Sequence, residues 1–336
     1  MPELRKDPVV DRWVIIAPER ADRPQAWLRR SGGGRPSFDE DDDPSHCPFC
    51  PGNESMTPPE VYAQRDGTRW KVRVVPNRYP ALRTEIPLSL RARGIFDQRS
   101  GTGAHEVIVE TPQHGLSLGE LSPADLAGVL AAWQVRMRDL ARDERLRCTL
   151  LFKNSGVAAG ATLSHAHSQL VALPLVPPEL RQELEGARDH YTRKERCVYC
   201  DVIAQELEDK ERVVHEGERF VALAPWASCS PFETWILPRE HQSGFENAQA
   251  ADLAALAQEL RALLRKIDVA LEQPALNFFL HTAPMREPAL PWYHWHLTVK
   301  PVVASVGGFE WGSGSFINPT PPEEAASFLR QTEVQP

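Results

Sequence analysis

The sequence predicts an α+β protein made of two copies of one unit, residues 1–178 and 179–336, on three observations. First, an internal repeat: Glu106-Val-Ile-Val-Glu-Thr-Pro-Gln-His114 resembles Glu233-Thr-Trp-Ile-Leu-Pro-Arg-Glu-His241 at an offset of 127 residues, and Ala124-Asp-Leu-Ala127 returns as Ala251-Asp-Leu-Ala254 at the same offset. Second, each copy alternates short apolar runs with long stretches of helical period. Third, each copy reaches an H-x-H pair after its helix and strand, His165/His167 and His294/His296. A chain of 336 residues is long enough to bury a core in each copy.

In chain order, Ser31-Gly-Gly-Gly34 and the run Asp39–Asp43 read as a flexible, solvated acidic loop. The runs beginning at Glu106 and Glu233 read as strands. Ser122-Pro123 supplies an N-cap and a proline at the first helical position. The helix after it carries Leu126, Leu130, Trp133, Met137 and Leu140 on one face; its counterpart carries Leu253, Leu256, Leu260, Leu263, Ile267 and Leu271. Strands follow at Thr149–Asn154 and Asn277–His281, and a further apolar run starts at Leu170. Pro174–Pro178 and the polar stretch Arg181–Glu195 read as the connector between halves. Gly307-Gly308 and Gly312-Ser-Gly314 are either hairpin turns or places where backbone approaches a ligand.

Composition narrows the function. Acidic residues outnumber basic ones, 46 to 38, for a net charge of −8 and a pI near 5.8. That balance argues against a broad nucleic-acid or anionic-membrane surface, while leaving room for a local basic pocket that binds phosphates. No apolar run approaches the roughly 20 residues of a membrane span. The start, Met1 to Asp7, is polar and lacks a signal peptide's apolar region, so the expected location is the cytoplasm. There, Cys47/Cys50 and Cys197/Cys200, two C-x-x-C pairs, are metal-ligand or redox pairs rather than disulfides.

Zinc favours tetrahedral sulfur and nitrogen ligands, and a structural site is closed by four of them. Cys47, Cys50, His114 and His165 form one candidate set; Cys197, Cys200, His241 and His294 form the second at nearly the same spacing. Thioredoxin-like redox chemistry or incidental buried thiols are the alternatives, but neither pair opens an obvious βαβ unit. In extended backbone His165, His167 and Gln169 share a face. With His165 on the metal, His167 presents a free imidazole nitrogen able to attack phosphorus, and Gln169 an amide N–H for a phosphoryl oxygen. The small residues between Phe152 and Leu163 let backbone N–H groups reach phosphates. Arg20, Arg23 and Asn77 are candidate contacts to phosphate or base.

Those residues resemble the galactose-1-phosphate uridylyltransferase family of the histidine-triad superfamily, over almost the whole chain. The resemblance implies a duplicated histidine-triad unit, an antiparallel half-barrel sheet with packed helices, and a homodimer. It implies zinc ligation by His165, attack by His167, and nucleotide or phosphate contacts from Arg20, Arg23, Asn77, Asn154 and Gln169. Its sugar-reading segment falls on Gly308, Phe309 and Glu310. Here Ala166 replaces the usual proline between the histidines, and a second C-x-x-C joins His294 where other members rely on positions matching His281, His294 and His296. The strings Gly160-Ala-Thr-Leu-Ser-His165-Ala-His167-Ser-Gln169 and Gly307-Gly-Phe-Glu-Trp-Gly-Ser-Gly314 are similar to the two-zinc branch that includes ADP-glucose phosphorylase-like adenylyltransferases.

The sequence-level reading is thus a ping-pong nucleotidylyltransferase with two structural zincs. Its substrates are a nucleotide sugar and a sugar 1-phosphate or inorganic phosphate; UDP-glucose:hexose-1-phosphate uridylyl transfer is expected, with ADP-glucose phosphorylase-like adenylyl transfer as the alternative. A zinc hydrolase, which requires an open coordination position, and a non-catalytic zinc-ribbon module are the rivals from other classes.

Overall fold

The computed structural model describes residues 1–20 and 43–334; Arg23 and the acidic loop short of Asp43 lie outside them. The first half contains β1 (Glu3–Lys6), β2 (Trp13–Ile16), β3 (Tyr62–Asp66), β4 (Arg69–Pro76), β5 (Leu90–Arg93), β6 (Phe96–Arg99), β7 (Ala104–Val109), α1 (Pro123–Leu140), β8 (Cys148–Ser155) and β9 (His167–Leu173). The second contains α2 (Pro178–Lys194), α3 (Val198–Asp209), β10 (Val213–Glu216), β11 (Phe220–Leu223), β12 (Thr234–Pro238), α4 (Ala250–Ala270), β13 (Leu276–His281), β14 (His296–Pro301), α5 (Gly308–Ser313), β15 (Phe316–Asn318) and α6 (Pro322–Gln331).

Ten strands form one sheet in the order β3-β4-β7-β9-β8-β13-β14-β12-β11-β10. Every neighbouring pair is antiparallel. Read inward from either edge, the repeated elements arrive in the same order, so the duplication meets at the β8–β13 seam. Phe152 lies opposite Phe279 there, 127 positions on.

Alternation of side chains divides the sheet between two cores. On one face Ile108, Leu151, Leu170, Ile236, Phe278, Leu280 and Leu297 pack against α1 and α4. The helical residues read from the sequence, Leu126 to Leu140 and Leu253 to Leu271, are buried in that core. Ser122 Oγ accepts the Asp125 N–H at 3.1 Å and caps α1 as its sequence implies. The α1 guanidinium of Arg136 grips Glu106 of β7 with two bonds of 2.8 and 2.7 Å, fixing helix to sheet.

The other face carries the site. In register across it run Val107, Gln169, Phe152, Phe279, Thr298 and Trp235. Over the second half α2 and α3 cover this face, with Leu180, Tyr199 and Ile203 against Val221, Leu223 and Leu237. Over the first half the Cys47–Cys50 turn covers it, with Phe49 packed on Val75, Val107 and Val109.

Two expectations take a definite form. The connector stretch Arg181–Glu195 is most of α2, whose buried residues are few, Leu180 and Ala187. A helix with so narrow an apolar stripe reads as polar linker. It docks through Gly186: a Cβ there would fall 1.7 Å from the Val9 carbonyl oxygen. Gly307–Gly314 forms the short helix α5 rather than a hairpin turn. The chain ends also cross between halves, since β15 pairs in parallel with β2, and Val9 and Val10 pack beside Leu180 and Tyr199.

Candidate active site and metal centres

The two Cys/His sets assemble. The ligand atoms of Cys47, Cys50, His114 and His165 all lie within 4.8 Å of one another, as do those of Cys197, Cys200, His241 and His294. In the first set Cys50 Sγ is 3.3 Å from His114 Nδ1, and both thiols are 3.5 Å from His165 Nδ1. In the second, Cys200 Sγ lies 3.4 Å from His241 Nδ1 and 3.7 Å from His294 Nδ1. The N···S edge of a tetrahedron with bonds near 2.3 and 2.05 Å is about 3.6 Å, so both sets fit one four-coordinate ion.

Hydrogen bonding sets the tautomers for that task. His165 Nε2–H donates to the Thr111 carbonyl at 2.7 Å, His294 to Pro238 at 2.9 Å and His241 to Leu290 at 3.0 Å. Each leaves Nδ1 with its lone pair toward the thiols. Thr111 and Pro238 are themselves 127 residues apart, so the support is duplicated with the ligands. The Cys197 thiol is held well below its ordinary range, first by a hydrogen bond from Cys200 and then by His241 and His294. With four donors in each, either of these two sets would close the shell of a bound ion and leave no position on it for a hydroxide.

His167 stands outside the first set and beside it. Its Nδ1–H donates to the His165 carbonyl at 2.8 Å, leaving Nε2 with the lone pair. Burial, followed by the charge of Lys153, pushes its pKa down to about 4, so the ring is neutral at physiological pH. It opens on a cavity of about 340 Å³ lined by Phe49, Asn77, Tyr79, Val107, Leu163 and Gln169 among others. Phe49, 5.3 Å from the His167 ring, holds one side.

The other expected residues divide. Asn77 and Gln169 reach this cavity. Asn154 lines the neighbouring cavity of about 430 Å³ across the seam, where it accepts a hydrogen bond from Asn277 at 2.9 Å. Arg20 ends an exposed turn, and Gly308, Phe309 and Glu310 lie in α5; none of the four lines the His167 cavity of this chain. Three features escaped sequence reading. Lys153 Nζ, buried, bonds Glu110 at 2.5 Å and the His167 carbonyl at 3.0 Å. His105 reaches Gln169 at 2.8 Å. In the second half Glu183 joins His281 and His296 in an O,N,N group within 4.8 Å, with His281 Nδ1 at 2.7 Å from the carboxylate. Only the first H-x-H motif therefore presents its second histidine to a cavity with a glutamine beside it.

Comparison with known proteins agrees with this architecture. The galactose-1-phosphate uridyl transferase N-terminal domain matches residues 1–177, and the C-terminal domain of the same family matches 183–317. An ADP-glucose phosphorylase of Arabidopsis thaliana is 38% identical over 99% of this chain and 93% of its own length. A galactose-1-phosphate uridylyltransferase of Thermotoga maritima is 30% identical over the full length of both. The crystal structure of an Arabidopsis ADP-glucose phosphorylase with bound ADP-glucose superposes with a TM-score of 0.85, at 35% identity over all of both chains. With both domains matched and the fold shared, the chain belongs to the galactose-1-phosphate uridyl transferase family and is a nucleotidyltransferase.

Proposed function

We propose that the protein transfers a nucleotidyl group from a nucleotide sugar to a phosphate acceptor by way of His167, and that the observation carrying this is the free Nε2 of a neutral imidazole facing a cavity beside a closed metal set. Nε2 attacks the α-phosphorus; the bond from phosphorus to the sugar-phosphate oxygen breaks, and the sugar 1-phosphate leaves. No base is required, because Nε2 already carries the electron pair. The positive charge that forms on the ring is met by the His165 carbonyl 2.8 Å from Nδ1–H. An oxygen of a second sugar 1-phosphate, or of inorganic phosphate, then takes the nucleotidyl group and restores His167. Gln169 donates to the phosphoryl oxygens, and Asn77 lines the nucleotide side of the cavity. The two Cys/His sets hold zinc as structural ions, the first anchoring the backbone from which His167 projects.

Adenylyl transfer from ADP-glucose is supported by the phosphorylase relative of 38% identity, and uridylyl transfer by the full-length match at 30%. The reading extends to a cytoplasmic homodimer of two units divided near residue 178, with Arg20, Arg23 and the Gly308–Glu310 segment as substrate contacts. Incubation with ADP-glucose and UDP-glucose, each labelled in the α-phosphate, tests it. Wild-type protein takes up acid-labile label from at least one, with release of glucose 1-phosphate, and His167→Ala takes up none. Label from neither, or undiminished label in the variant, removes the proposal; the nucleotide that labels decides the base.

A further inference from the structure

Gln169 can serve a phosphoryl group only if its amide presents N–H rather than carbonyl to the cavity, and the side chain alone does not decide which. The neighbouring strand does. The Ala81 backbone N–H donates to His105 Nδ1 at 3.2 Å. A backbone N–H can only donate, so Nδ1 is the acceptor and Nε2 carries the hydrogen. His105 Nε2 is 2.8 Å from Gln169 Oε1. The amide oxygen is thereby occupied, and the NH₂ group is left for the cavity that Gln169 shares with His167.

Backbone groups orient Asn77 beside it. The Asn77 N–H donates to the His105 carbonyl at 2.8 Å, and Asn77 Oδ1 accepts from the Tyr79 N–H at 2.9 Å. Asn77 Nδ2 sits 3.2 Å from His105 Nε2, a nitrogen already bearing hydrogen, so its own hydrogens are also left for the cavity. In the second half Thr298, not glutamine, follows His296 by two residues, and no amide there has to be oriented.

We propose that His105 is a positioning residue for nucleotidyl transfer: through Nε2–H it fixes the Gln169 amide as a donor to the phosphoryl oxygens. This rests on the reading of His167 as nucleophile. The test is the single-turnover rate of nucleotidylation, with KM measured beside it. His105→Asn keeps an acceptor for the Ala81 N–H but is too short to reach Gln169; His105→Gln places an amide N–H near the former Nε2. His105→Asn is expected to slow nucleotidylation by about 10- to 100-fold, less than the roughly 100- to 1000-fold of a deleted oxyanion donor because Gln169 remains but is no longer held, with KM changed less than about 3-fold. His105→Gln is expected to stay within about 5-fold of wild type. His105→Asn combined with Gln169→Ala is expected to be no slower than Gln169→Ala alone, because both remove one interaction. A wild-type rate in His105→Asn, equal losses in the asparagine and glutamine variants, or an additive double variant would overturn the inference while leaving the nucleophile in place. If wild-type protein takes no label at all, the functional reading itself fails, and this inference falls with it.

Discussion

Lys153 and Glu110 illustrate what single residues contribute and hide. Both side chains are nearly inaccessible, 6% and 0% exposed, and they meet on the helix-covered side of the sheet while Lys153 also holds the His167 carbonyl. A buried charge deprived of its partner is costly, whereas replacing both partners by apolar groups is often close to neutral. Lys153→Met is therefore expected to lose about 3–5 kcal/mol in urea unfolding, and adding Glu110→Leu to recover most of it. An unrecovered double variant would show that the pair itself stabilises the fold. No pattern in the sequence joins positions 110 and 153, because the contact is made only once β7, β9 and β8 lie side by side. Cys47, Cys50, His114 and His165 were legible for the opposite reason: a metal set restricts residue type strongly, and the repeat showed it twice.

Among the elements, α1 and α4 were readable because their apolar positions recur every three to four residues and all reach one core. Helix α2 was not, since a glycine and an alanine supply much of its contact. Gly→Ala inside a helix ordinarily gains about 0.8–1.0 kcal/mol. At Gly186 the added carbon would meet backbone, and overpacking of this kind costs about 1–3 kcal/mol or more. Gly186→Ala is thus expected to lower the thermal midpoint against propensity; a rise would mean that α2 docks otherwise. A second element-scale link joins β10 to α4, where His215 Nδ1 and Glu259 lie 2.5 Å apart. The carboxylate bond holds the His215 pKa above its ordinary value. The stabilisation is complete below a pH of about 6.5, the unfolded value, and is lost as pH rises through the folded one. The gap in thermal midpoint between wild type and His215→Gln should therefore be widest near pH 6 and close on the alkaline side.

At the scale of the whole molecule, duplication explains both what is shared and what diverged. Both halves keep a four-ligand Cys/His set, so elemental analysis is expected to find two zinc ions per chain. Cys47→Ser should lose one ion together with nearly all nucleotidylation, since that set anchors His167. Cys197→Ser should lose the other ion and lower the thermal midpoint, yet retain more than about a tenth of the rate, within the range of indirect metal effects. Equal loss of rate in both variants would place the second set in the chemistry. The repeat and the antiparallel sheet could be read from the chain, but the joining of its ends could not, because β2 and β15 are three-residue pairings with no periodic signature. That pairing carries a consequence for biosynthesis. Val14 and Ile16 complete their cluster only with Ala227, Cys229 and Phe316. At about 5–20 residues per second, a ribosome needs on the order of 15–60 s to add Phe316 after Ile16, so for that interval the growing chain carries two bare aliphatic side chains whose partners do not yet exist.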